Sequence, residues 1–214
     1  MRRYTSPVGV EAEYEPGSRG RVLRNKLGIK RVMGMHSAEY EALVAAQKLY
    51  YAKMVDEKTS ITAEFIRSMH RDWLGGIYEW AGDYRTVELE KEGFPWPPAY
   101  LVPDNMSQFE RDVLNVHTPC RHTELADVCR SVAIVHADLL LIHPFREGNG
   151  RLARWLADIM VAQAGYPLPE YRFEGIGSRS EKERYLSAVV NGYSVRYDDL
   201  AGFFEETVRL RLEE

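Results

Sequence analysis

The stretch from Leu125 to Ile142 constrains this chain more than any other. Leu125, Val128, Val132, Val135, Leu139 and Ile142 step by three and four, which is the period of an α-helix. From Val132 to Ile142 only His136 and Asp138 interrupt the apolar run. A helix that is apolar nearly all round needs cover on every side, so this one is expected at the centre of a helical protein. Thr123 is placed to cap its start. Its end is abrupt, because Pro144 disfavours helical geometry at His143.

The rest of the chain supplies further helices to surround it. Ser37 can cap a helix over residues 38–55, with Leu43, Ala46, Leu49, Tyr50 and Met54 inward. A helix near 62–74 places Phe65, Ile66, Met69 and Trp73 on one face and ends at Gly75-Gly76. Helical patterns follow over 104–116 and over 150–164, the latter closed by Gly165 with Pro167 and Pro169 beyond. Ser180 and Glu183 read as a capping box opening a helix that stops near Gly192. Asp198 can cap the last helix, with Leu200, Phe203, Phe204 and Val208 inward. Arg85 to Glu90 instead alternates with a period of two. The turn Lys91-Glu92-Gly93 and the arm Phe94-Pro95-Trp96-Pro97-Pro98 complete a hairpin whose prolines confine it to a short edge strand. The expected fold class is all-α: one mostly helical domain over residues 37–214, with a small β-hairpin at about 85–98 and an irregular arm over 1–36.

At 214 residues, with 45% apolar and 28% charged side chains, the chain has the balance of a soluble globular protein. Cys120 and Cys129 are its two cysteines, which suits a reducing cytosol and a fold without disulfides. The spacing of His117, Cys120, His122 and Cys129 matches no common zinc pattern. No apolar run approaches a membrane span, and the first residues lack the apolar core of a secretory signal, so a cytoplasmic location without membrane contact is expected. The net charge of −4 gives the whole molecule no attraction to a phosphate backbone, and no direct nucleic-acid binding is expected. The first 35 residues run against that balance at +5, with Arg2, Arg3, Arg19, Arg21, Arg24, Lys26, Lys30 and Arg31 against Glu11, Glu13 and Glu15.

Chemistry concentrates between the central helix and the helix at 150. There the chain reads His143-Pro144-Phe145-Arg146-Glu147-Gly148-Asn149-Gly150-Arg151, with Arg154 beyond. Two glycines around Asn149 let backbone amides turn together where a helix begins, so free N–H groups and the positive end of the dipole converge. Arg151 and Arg154 share one helical face a turn inside that end. The combination is an anion cradle suited to a polyphosphate. Glu147 is a hard oxygen ligand beside it, suited to Mg²⁺, and His143 can accept a proton near neutral pH.

The stretch His143 to Arg154 resembles the signature of Fic-domain proteins, His-x-Phe-x-Asp/Glu-Gly-Asn-Gly-Arg-x-x-Arg, at every fixed position. Tyr78 to Gly82 with Arg85, and Lys91, Gly93 and Trp96-Pro97-Pro98, resemble the family's segment before and through its flap. Leu23 to Ile29 resembles the arm of toxin-like members. The resemblance implies a protein adenylyltransferase that moves AMP from Mg-ATP to a Ser, Thr or Tyr hydroxyl of a target protein, and suggests a bacterial toxin of a toxin–antitoxin pair. It makes His143 the base, Glu147 the Mg²⁺ ligand, and Gly148, Asn149 and Gly150 the anion hole. Arg151 and Arg154 would neutralise the departing pyrophosphate, with Arg154 nearest the γ-phosphate. Val87, Glu88, Leu89 and Glu90 of the flap would pair with the target's backbone. Members that phosphorylate their targets carry lysine where this chain has Gly150, so adenylylation is favoured.

Many members also carry an inhibitory Ser/Thr-x-x-x-Glu-Gly/Asn helix. Ser37 with Glu41, Ser60 with Glu64 and Thr86 with Glu90 have the spacing, but Ala42, Phe65 and Lys91 follow where Gly or Asn belongs. Inhibition is therefore expected from a separate small antitoxin-like chain. Two alternatives stand beside the transferase reading: a nucleotide-binding interaction module with an idle site, and transfer from another donor such as UTP.

Overall fold

The computed structural model describes residues 10–53, 59–91, 93–175 and 177–213, so Met54, Glu92 and the arginines at 2 and 3 lie outside the described residues. Helix α1 (Val32–Lys53) begins well before Ser37, which falls inside it. The entry is set from upstream, where the Asn25 side chain bonds both the N–H and the C=O of Ile29 at 2.9 Å. The buried stripe of α1 is Met35, Glu39, Leu43, Ala46 and Tyr50. Leu49, expected inward, is 61% exposed, because the stripe turns past it to Tyr50.

The chain divides into two compact units built from interleaved segments. The first takes residues 1–52, 63–107 and 142–152. It holds α1, α2 (Ala63–Leu74) and the hairpin of β1 (Glu90–Lys91) with β2 (Phe94–Pro95). Ile66, Met69, Trp73 and Leu74 of α2 are buried with Tyr78, Val87, Leu89 and Phe145. The hairpin is shorter than the alternating pattern: Glu90 pairs with Pro95 and Lys91 with Phe94, and Trp96 N–H donates to Leu89 C=O one step further. Side chains still alternate, with Arg85, Val87 and Leu89 buried and Thr86, Glu88 and Glu90 exposed.

The described part of the N-terminal arm is irregular apart from a single 3₁₀ turn (Val10–Ala12) and a Tyr14–Leu23 bridge. It is nonetheless fastened down. Lys26 N–H donates to Ile77 C=O and its ammonium to Gly75 C=O, each at 2.8 Å. Buried Glu11 accepts from Thr86 N–H at 2.6 Å.

The second unit takes residues 53–62, 108–141 and 153–214. Helix α3 (Val102–Phe109), of which residues 102–107 belong to the first unit, passes through a π-helical stretch (Glu110–Leu114) into α4 (Asn115–His117). Helix α5 (Leu125–Ile142) is buried almost all round, as its pattern requires, with Val128, Val132 and Val135 fully covered. Helices α6 (Asn149–Gln163), α7 (Ser178–Gly192) and α8 (Asp198–Leu212) follow. Gly192 approaches α5 so closely that a Cβ there would lie 2.6 Å from the Ala137 methyl carbon.

Two expected caps are replaced by other devices. α7 opens at Ser178 behind Gly177 in the left-handed region, and the Ser180 hydroxyl donates back to Gly177 C=O. Glu183 pairs with Arg179, so no capping box forms. Asp198 makes no cap bond either and instead pairs with Arg130. The fold is otherwise the mostly helical one with a small two-stranded hairpin. No helix among the described residues is long and apolar enough to cross a membrane.

Two histidines are buried with both ring nitrogens bonded. Gly82 N–H donates to His70 Nδ1 at 2.8 Å, so Nε2 carries the proton and donates to Glu147 C=O at 3.1 Å. His136 Nδ1 faces Ala153 C=O at 3.1 Å and must donate to it, which leaves Nε2 to accept from the Tyr185 hydroxyl at 2.8 Å. Burial pulls His70 down to about 4 and His136 to about 3. An unfolded histidine takes its proton near pH 6.5, so below that value the unfolded chain binds more protons than the folded one. This part of the stability is therefore complete above about pH 6.5 and lost as pH falls toward 4. Urea titrations should show a falling midpoint from pH 7 to pH 5, and ring resonances should show both histidines neutral at pH 5. A ring titrating near 6.5 in the folded protein would contradict the assignment for that residue.

Candidate active site

The loop from Ile142 to α6 sorts its side chains by chemistry. Pro144, Phe145, Arg146, Gly148 and Asn149 are buried, whereas His143, Glu147, Gly150 and Arg151 are only partly covered. What faces outward is a base, an acid, a gap and a guanidinium, all at the mouth of α6.

Local interactions produce this sorting. The Asn149 amide grips one residue twice, accepting from Phe145 N–H at 2.9 Å and donating to Phe145 C=O at 2.7 Å. The Phe145 ring stacks flat on His70, with centroids 4.0 Å apart. The buried Arg146 guanidinium donates through Nε to Glu11 C=O at 2.8 Å. His143 itself sits at φ +52, a left-handed conformation unusual for a residue with a Cβ. Its carbonyl accepts from Arg85 Nε at 2.7 Å, and its ring stacks under Trp96 with centroids 3.9 Å apart.

Arg85 is the hub that joins this loop to the hairpin. Its buried guanidinium also donates to Val87 C=O at 3.0 Å and to Pro97 C=O at 2.6 Å, one on each arm of the flap. Its own N–H donates to Pro144 C=O at 2.8 Å. The flap and the candidate base are thus held by one side chain, although burial works against its charge.

The cradle is partly as the spacing suggests and partly not. α6 starts at Asn149, and its first-turn N–H groups have no partner within the helix. Gly148 N–H, however, is bonded to Glu147 Oε1 at 3.0 Å, so its place in an anion hole is already filled by a carboxylate. The Asn149 side chain is committed to Phe145. Glu147 is a partly exposed hard-oxygen donor and fits Mg²⁺ on donor chemistry. Among the described residues no group of three or more His, Cys, Asp or Glu could hold a metal by itself, so most of the shell would come from water and phosphate.

Arg151 lies over the face of Trp73, 4.8 Å from the ring centroid. Arg154 stands one turn further along α6, within the second unit. There its guanidinium lies 5.3 Å from the Phe173 ring and 5.8 Å from the Tyr185 ring, and the Tyr185 hydroxyl donates to His136. In the flap, Val87 and Leu89 turn their side chains inward, so of the four residues expected to meet a target only Glu88 and Glu90 present theirs outward. Glu39, His70, Trp73 and Arg85 are parts of the site that the motif does not contain. Glu39 has a visible signal in the sequence, since it lies four residues before Leu43 and so on the same helical face.

The model of the Fic/DOC family matches residues 60–161. A probable protein adenylyltransferase of Sinorhizobium fredii is 30% identical over 145 residues, covering 67% of this chain and 70% of that protein. The protein adenylyltransferase VbhT of Bartonella schoenbuchensis is 26% identical over 178 residues, but the chain spans only 35% of its length. Among solved structures, the N-terminal Fic domain of an effector from Bartonella sp. AR 15-3 has a TM-score of 0.73 at 16% identity, covering 94% of this chain and 92% of that one. BepC of Bartonella tribocorum, solved with bound AMPPNP, has a TM-score of 0.67 at 20% identity over 86% of this chain and 91% of that one. The chain belongs to the Fic/DOC family.

Gly148 links sequence to site geometry. At φ +87 a Cβ would lie 2.9 Å from Trp73 Cζ3, against the wall that carries Arg151. Gly148→Ala should cost about 1–3 kcal/mol from backbone strain and overpacking. Denaturant titration reads this loss, and an unchanged midpoint would show that the turn yields.

Proposed function

We propose that this chain is a protein adenylyltransferase, moving AMP from ATP to a hydroxyl of a target protein. The observation that carries the reading is the sorted loop: His143, Glu147 and Arg151 are the ionisable side chains it leaves accessible, and they stand at one helix N-terminus. The family membership and the relatives' activity support the same conclusion.

In this reading the chain's residues divide the work. The His143 imidazole takes the proton of the target's Ser, Thr or Tyr hydroxyl, whose oxygen then attacks the α-phosphorus. The bond from the α-phosphorus to the bridging oxygen breaks, and pyrophosphate leaves. The amides of Asn149 and Gly150 meet phosphate oxygens, while Arg151 and Arg154 offset the negative charge gathering on pyrophosphate. Glu147 would hold Mg²⁺, which when bound supplies positive charge beside the phosphates.

The flap supplies the docking edge. Its two strands expose Glu90, Lys91, Phe94 and Pro95, and Trp96 brings the hairpin to the His143 ring. An extended target segment would add to this edge through backbone hydrogen bonds, with Glu88 and Glu90 outward and Val87 and Leu89 anchoring the strand from within. A separate inhibitory chain belongs to the same proposal: Glu41, Glu64 and Glu90 are exposed, and Glu64 pairs with Arg67 and Arg71.

Incubation with ATP labelled at the α- or the γ-phosphate, in the presence of a cell lysate, tests the reaction. Label should pass to protein from the α position only. His143→Ala should reduce transfer by about 10²–10⁴-fold while nucleotide binding persists. Transfer from the γ position, or an undiminished rate in the variant, rules this mechanism out.

A further inference from the structure

Glu39 is a carboxylate where the packing of α1 calls for an apolar side chain. It lies between Met35 and Leu43 on the helix's buried stripe and is 4% exposed. A buried charge is costly unless its partners are close and well aligned, so the contacts it keeps show its use. The Tyr78 hydroxyl donates to Oε1 at 2.6 Å. Burial and the adjacent carboxylate push the Tyr78 phenol up, which keeps it a donor. Arg151 Nη1 lies 2.8 Å from Oε2. The backbone takes part as well, since Trp73 Nε1–H donates to Glu39 C=O at 2.8 Å.

These contacts converge on one guanidinium. Trp73 supplies the face beneath Arg151, Glu39 holds Nη1, and Nη2 lies 3.6 Å from Glu147 Oε1. An arginine with this seating has few rotamers left, and its free-energy cost of ordering is met before any ligand arrives. The partners differ in burial: Glu39 is enclosed, whereas the Arg151 side chain is 28% exposed and Glu147 31%. The fixed partner is therefore on the α1 side, and the accessible side is the one that carries Glu147.

We propose that Glu39 is a positioning residue for the transfer reaction, holding Arg151 on Trp73 with one edge turned toward Glu147 and the leaving phosphates. The inference rests on the adenylyltransferase reading and deepens it. Its mode of action is preorganisation: charge meant for the transition state is worth most where it need not be reoriented during reaction.

The test is a double-mutant cycle on α-labelled AMP transfer. Glu39→Gln keeps the shape and removes the charge. It should lower kcat by about tenfold to 10²-fold, the scale of a small misplacement in an active site, with KM for ATP moving much less. In an Arg151→Ala background the same substitution should change kcat little, because its effect passes through the arginine. Tyr78→Phe, which removes only the hydroxyl holding Oε1, should give a smaller loss of the same kind and serves as the readout if Glu39→Gln does not fold. Equal losses with and without Arg151 would make Glu39 merely structural and overturn the proposal. A faster enzyme would also overturn it, by showing that the carboxylate competes with phosphate for Arg151. If the wild-type chain transfers no α-label, the adenylyltransferase reading fails and this inference falls with it. Normal wild-type transfer with unaffected variants sinks the inference alone.

Discussion

Phe145 pins the loop on which the site depends. Its ring lies flat against His70, and its two backbone groups are both held by the Asn149 amide. Those bonds close a turn of only five residues, so the side chains between and beside them have little choice of direction. His70 in turn is held by Gly82 N–H and reaches Glu147 C=O. A neutral ring suits this position, because it needs one donor and one acceptor and avoids the cost of a buried charge. Without that pin, His143, Glu147 and Arg151 would keep their chemistry and lose their common aim.

Around the pin, buried charged side chains act as cross-braces between segments remote in sequence. Arg85 joins both arms of the flap to His143 C=O. Arg146 reaches Glu11 C=O, and the Glu11 carboxylate accepts from Thr86, which ties the N-terminal arm to the base of the flap. Glu39 joins α1 to the first turn of α6. A guanidinium or carboxylate enclosed in this way stabilises little in net terms, because desolvation offsets the attraction. What it contributes is specificity: removing one partner leaves a buried charge uncompensated, so alternative registers of flap and loop are disfavoured. In the second unit Arg154 lies against neutral groups instead, the rings of Phe173 and Tyr185.

Elements built by short-range periodicity are legible in the amino-acid order. The three-and-four spacing of α5 points to a helix covered on nearly every side, and the alternation from Arg85 to Glu90 shows which side chains turn in. Helix ends are less legible. Ser180 and Glu183 have the spacing of a capping box, yet Gly177 offers a left-handed turn that starts α7 earlier and leaves Ser180 as a donor. Helix α1 starts ahead of Ser37 because Asn25 organises the chain in front of it. A cap is a weak local preference, and a nearby turn or buried contact of similar strength can displace it.

The sequence by itself determined the chemistry of the His143–Arg154 segment, because its parts are neighbours along the chain. A proline that stops one helix, glycines that let the backbone turn, and arginines one helical step apart require no distant partner to be recognised. Tertiary structure alone decided which acid meets Arg151, which ring lies under Phe145, and which arginine joins the flap to His143. Glu39, Glu41 and Glu64 are chemically alike in the sequence. Burial on the α1 stripe, opposite Tyr78 and Arg151, is what separates the first from the other two. A residue's type states which bonds it can make, and only the packing of segments far apart along the chain states which of them it does make.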